Sequence, residues 1–198
     1  MYRILIIIFF IPIITMSQTI TFSKAVQQLY FNVDVKNVPV DTIISELSNI
    51  AYEHNVSKGI SSLSINLDMD MSGDAKKVLH VFKFNKSPLP NMSVDTGYIK
   101  ITIGEVGSSR EIIDIDWCFQ FLNKTDAVKF FEELNKTFAP ISTKQKIGDD
   151  ELNSGQYAEF SIRGENTGNI RDVTFFFGKS VVTNKYEVRF IPYNEFIE

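Results

Sequence analysis

Two histidines, one cysteine and three groups of carboxylates are the side chains of this sequence whose types could carry chemistry. A metal site or a nucleophile–base arrangement would need His54 or His80 beside carboxylates or a nucleophile. Neither has a His partner at i, i+4, and no H-E-x-x-H spacing occurs. His54 falls near the end of a helical pattern, where a cation complements the helix dipole. His80 falls mid-strand on the face of Val78, Phe82 and Phe84, the position of a neutral, hydrogen-bonded core histidine. A reactive thiolate needs a cation or a helix N-terminus to lower its pKa. Cys118 stands instead between Asp116 and Gln120 on the polar-leaning face of a strand, so a structural thiol is expected.

The run Asp68-Met69-Asp70-Met71-Ser72-Gly73-Asp74 begins like a calcium loop, with oxygens at positions 1, 3 and 5 and glycine at 6. Position 12 should be a bidentate carboxylate and is Leu79, while Lys76 and Lys77 occupy positions 9 and 10. The alternation from Ser64 to Met71 reads better as a two-faced strand, turned by Ser72-Gly73-Asp74. Asp114/Asp116 and Asp149/Asp150/Glu151 have the composition of a general acid–base pair, but solvated strands and loops carry such pairs routinely. No G-x-S-x-G, no phosphate-cradling glycine loop and no zinc signature is present. No catalytic, cofactor-binding or metal residue is therefore assigned, and no cofactor is expected.

The elements that must position these side chains follow from periodicity. Leu29, Phe31, Val33 and Val35 alternate with polar residues and predict a strand over 28–36; Ile113, Ile115, Trp117, Phe119 and Phe121 predict one over 113–122. Further strands read at 64–71, 77–84, 98–103, 156–163, 172–178 and 184–191. The run Val173 to Phe177 is apolar on both faces and belongs inside a sheet. Helices are expected over 39–54, with Ile43, Ile44, Leu47, Ile50 and Ala51 as the apolar face, and over 125–138, with Val128, Phe130, Phe131, Leu134 and Phe138. Thr125 suits the second N-cap and Pro140 stops the helix. The predicted fold is α+β: antiparallel sheet with two amphipathic helices packed on one face. Ile43, Ile44, Leu47 and Ala51 map onto Phe130, Phe131, Leu134 and Phe138 at a constant offset of 87, which suggests a duplicated β-α-β-β unit. Gly104 to Arg110 has loop composition and divides an expected first half, 18–107, from a second, 108–198, unless the two are one continuous domain.

Ahead of these lie Met1-Tyr2-Arg3, an apolar stretch from Ile4 to Ile14, and Thr15-Met16-Ser17. Eleven apolar residues fall short of the ~20 that span a bilayer, so residues 1–17 read as a cleavable signal peptide. With no Cys near the cut, no lipid anchor is expected, and the membrane is met only through that peptide. Cleavage leaves 19 basic and 24 acidic side chains, net charge near −5, with no basic run for nucleic acid or anionic lipid. Cys118 is the only cysteine, so no internal disulfide supports the fold. Seventeen Phe and a 44% hydrophobic content are enough for a sizeable core. The richness in Ile, Lys, Asn and Phe, with Ser-Gln at the cut, resembles exported proteins of the Bacteroidetes, which implies a periplasmic or outer-surface location.

Phe31-Asn32-Val33-Asp34-Val35-Lys36-Asn37-Val38-Pro39-Val40 and the helix after it resemble the strand-to-helix opening of the short N-terminal domain of secretins and TonB-dependent transducers. The likeness covers about 20 residues; that family continues with a strand and a second helix, whereas here strands follow one another to residue 103. It implies a receptor-linked signalling module. The leading expectation is a non-enzymatic exported protein that binds a protein or small-molecule partner, and the alternative is a small hydrolase using His80 and scattered carboxylates.

Overall fold

The computed structural model describes residues 21–60, 76–106, 109–150, 155–162 and 172–193. The expected signal peptide, the strand expected over 64–71 and the calcium-like run Asp68–Asp74 lie outside them. Among the described residues, three α-helices, α1 Phe22–Leu29, α2 Val40–Ile50 and α3 Lys124–Phe138, accompany eight strands. These are β1 Glu53–Ile60, β2 Lys76–Phe84, β3 Thr96–Val106, β4 Ser109–Phe121, β5 Lys144–Asp150, β6 Gly155–Ser161, β7 Asp172–Lys179 and β8 Tyr186–Tyr193.

The expected strand over 28–36 is instead the end of α1 and a turn. Phe22, Ala25, Val26 and Leu29 recur at helical spacing and are all buried, and the Thr21 hydroxyl caps the helix by accepting from Lys24 N. Phe31 and Asn32 then adopt positive φ, 56° and 68°, which no strand tolerates. Gln27 Nε2 donates to Asn32 O at 2.8 Å and pins the reversal. The apparent alternation was a helix end followed by a turn. Helix α2 also stops earlier than expected. Ala51 is extended (φ −67°, ψ 147°), and Tyr52 N donates to Lys83 O as the chain enters β1. His54 is thus a strand residue, not a helix C-terminal cation.

All eight strands form one antiparallel sheet in the order β1-β2-β3-β4-β8-β7-β6-β5. The expected linker is strand at its described positions: Gly104 pairs with Glu111, Glu105 with Arg110 and Val106 with Ser109, extending the β3–β4 pairing. Strand β4 then pairs with β8, so the sheet runs unbroken from one half of the chain to the other. β7 lies inside the sheet between β6 and β8.

One row of the register, His54–Phe82–Ile99–Trp117–Phe190–Phe175–Ala158, runs along the apolar face. Trp117 lies at its centre, fully buried, and donates Nε1–H to Leu29 O at 2.9 Å, tying α1 to the sheet. Helix α3 packs Phe130 against Phe119 and Phe121, Phe131 against Phe177, and Phe138 against Phe160 and Phe175. Gly97 is required here, since a Cβ would meet the Phe119 ring at 2.3 Å. Rings without a polar handle gain most from complete burial, and this is where they are placed.

Candidate functional site

The structure brings together three polar side chains that the sequence keeps apart. β1 and β2 pair so that His54 and His80 lie diagonally adjacent on the apolar face, and α2 lowers Ser48 onto them. Ser48 Oγ lies 2.7 Å from Ile44 O and 2.9 Å from His54 Nδ1; His54 Nε2 lies 3.0 Å from His80 Nδ1. A hydroxyl has one hydrogen, and a carbonyl can only accept. Ser48 therefore donates to Ile44 O and accepts from His54 Nδ1–H. With both rings neutral, His54 Nε2 accepts from His80 Nδ1–H, and His80 Nε2 keeps a bare lone pair. Among the described residues that nitrogen is buried with no hydrogen-bond partner. Both histidines are neutral in this arrangement. Burial lowers the pKa of each, and His54 and Arg110 lower His80 further, against Glu105 and Asp41.

Those last three groups form the charged margin of the pair. Arg110 of β4 makes an ion pair with Asp41 in the first turn of α2, and its Nε lies 3.1 Å from Glu105 Oε1 of β3. Among the described residues, no group of three or more His, Cys, Asp or Glu is placed to hold a metal ion. The relay has the connectivity of a nucleophile, a base and an orienting group. Its hydrogens run the wrong way for attack: Ser48 donates along its own helix, and His54 donates to Ser48 rather than accepting from it.

The other expected candidates are dispersed. Cys118 is fully buried, and burial, with Glu187 adding to it, pushes its thiol up to about 12. Asp116 bonds Lys100 at 3.3 Å across the β3–β4 pair, while Asp114 is exposed. Asp149 is an exposed residue of β5. Lys76, Lys77 and Leu79, the later positions of the calcium-like run, are inside β2, where no loop ligand can sit. A crevice of about 50 Å³ between α1 and the 34–37 turn, lined by Gln27, Asp34 and Asn37, holds no more than a water or two.

The second face of the sheet carries a different set. One register row there reads Glu53–Lys83–Tyr98–Cys118–Arg189–Phe176–Tyr157–Gly148 across all eight strands. Arg189 is 52% exposed in its side chain and bonds Glu187 Oε2 at 2.8 Å, and Tyr98, Phe176 and Tyr157 are half-buried. Lys100 lies over the Tyr98 ring and Lys146 over the Tyr157 ring, at 4.3 and 5.2 Å. Glu187 is buried yet accepts from Gln120, Thr183 and Arg189, which together hold its carboxyl below the usual range although burial opposes them.

Sequence reasoning missed Ser48 and the pairing of the two histidines. The segment Glu-His-Asn-Val-Ser-Lys-Gly-Ile of β1 has no apolar alternation to mark it as a strand. The only usable signal was the end of the α2 apolar face at Ala51. Among the described residues no helix is long and apolar enough to cross a membrane. No family model matches the chain, and no curated protein or solved structure is similar to it.

Proposed function

We propose that this is an exported, non-enzymatic binding protein that docks a folded protein partner on the polar face of its sheet. The observation that carries the reading is the adjacency of Tyr98, Arg189, Phe176 and Tyr157 in one cross-strand row. Tyr, Phe and Arg dominate the cores of protein interfaces, where they give large contact area at small entropic cost. A flat sheet face suits a protein surface better than a metabolite, whose pockets are concave and take ~300 Å³ or more. In this reading α2 and α3 share the apolar face and leave the other free. The contacts of Ser48 with His54 and of Phe130 with Phe119 support it. The chain order α2 then β1 to β4, followed by α3 then β5 to β8, supports a duplicated unit of one helix and four strands, whose halves would meet between Phe121 and Lys124 rather than at 107/108.

A hydrolase reading rests on the Ser48–His54–His80 relay. It is the weaker one because the Ser48 proton is committed to Ile44 O. A secretin-type signalling reading rests on the strand expected over 28–36, where the structure has the end of α1 and a turn.

The test places a photo-reactive benzoyl-phenylalanine at Phe176, or at the exposed Lys129 of α3, in the producing cell. The exported chain, whose intact mass should begin at or near Gln18, is then recovered. Position 176 should give a discrete protein adduct that Arg189→Ala removes, and position 129 should give none. Equal adducts at both positions, or at neither, would sink the docking face. Turnover of ester or peptide substrates that Ser48→Ala abolishes would restore the hydrolase.

A further inference from the structure

Among the described residues β1 is an edge strand, and one side chain, His54, fastens it to the apolar face. Its other described neighbours there, Val56 and Lys58, are exposed. His54 instead lies flat on Phe82, with ring centroids 4.3 Å apart, and reaches both Ser48 of α2 and His80 of β2. The His54 and His80 rings are 21° from coplanar with centroids 5.2 Å apart. Together with the 3.0 Å nitrogen separation this means the nitrogens meet end-on, not ring over ring. An end-on meeting holds one hydrogen between two nitrogens and has no place for a second.

We propose that the His54–His80 pair is an acid-released latch, which clamps β1 to α2 and β2 when neutral and frees that strand when protonated. The first added proton must go to the bare His80 Nε2, or reach it by a shift of the shared hydrogen. Either way a buried N–H is left without an acceptor among the described residues. The second proton removes the bond between the rings and sets two cations against each other. Every packed element bears on the balance. Asp41 of α2 and Glu105 of β3 favour the proton, and Arg110 of β4 opposes it. Lys58 of β1 and Lys76 of β2 share the face by register. The folded pKa of both rings lies below the ordinary 6.5, so the unfolded chain takes protons first as pH falls. The latch is whole above that value and is lost as pH drops below it. Carboxylates held low, such as Glu187, weaken only below their ordinary 4.5, in a separate window.

Hydrogen exchange of the mature chain at about pH 7.5 and about pH 5.5, corrected for intrinsic rates, reads the latch by segment. Amides of 53–60 should lose roughly tenfold or more of their protection in acid relative to those of β7. A His54→Phe/His80→Phe double variant should keep β1 protected at both values. Equal changes in β1 and β7, or the same acid loss in the double variant, overturns the latch. Should that variant not fold, titration of the two Cε1–H proton resonances in the unaltered chain decides. Both midpoints below 6.5 uphold it, and either one at or above 6.5 overturns it.

Discussion

The two ends of this sheet are fastened by different physics. Under α3, Phe131, Phe138, Phe160, Phe175, Phe177 and Phe190 close on one another with centroids about 5 to 6 Å apart, and all are buried. Over β1 the cover is thin, and a chain of hydrogen bonds through Ser48, His54 and His80 holds the strand. Apolar burial has no direction and no proton, so its strength scales with area and is indifferent to acid. A hydrogen-bond relay depends on which atom carries each hydrogen, so one proton can reverse it. The aromatic end therefore sets the stability of the whole, and the histidine end sets where the molecule first opens.

The largest effect should come from the aromatic end. Phe138 is fully buried between Phe22, Phe160 and Phe175. Phe138→Ala should cost ~3–5 kcal/mol in urea unfolding, as a ring-sized cavity does. The cost should be the same at neutral pH and in mild acid; a pH-dependent cost would erase the distinction between the two ends.

Trp117→Phe should have an intermediate effect. The ring is nearly replaced, but Leu29 O loses the side-chain donor it has, in a buried setting. A loss of ~1–3 kcal/mol is expected for the unsatisfied carbonyl. Exchange should rise first in α1, which that bond docks. Unchanged exchange in α1 would mean that Phe22, Val26 and Leu29 dock the helix without it.

The smallest effect belongs to the polar face. Lys100 and Asp116 form a solvent-screened pair, each more than a third exposed. Lys100→Ala should change stability by less than ~1 kcal/mol, and less again in high salt. A larger, salt-insensitive loss would show that this face is structural and not free to dock a partner.

Much of the fold could be read before the structure because burial imposes period. Ile115 to Phe121 alternates because one side of β4 faces the core, whereas Ile113 is exposed at a register shift; Phe130, Phe131, Leu134 and Phe138 recur at helical spacing because one stripe of α3 faces the core too. Where period failed, a local conformation intervened. Leu29, Phe31 and Val33 alternate by accident, since the left-handed Phe31 and Asn32 turn the chain between them. Residues 104–110 have loop composition because glycine and serine are turn formers, yet Gly104, Glu105 and Val106 of β3 pair with Glu111, Arg110 and Ser109 of β4.

The sequence by itself determined the class of the fold, an antiparallel sheet with amphipathic helices, because that class depends on spacings within single segments. It also determined that His80 shares a strand face with Val78, Phe82 and Phe84. Only the tertiary structure decided what His80 would meet there. His54 lies 26 residues earlier on a strand with no apolar signature, and Ser48 arrives from a helix. Whether a buried imidazole is inert or proton-sensitive depends on the one nitrogen opposite it, and that neighbour is set by strand pairing, which no local period encodes.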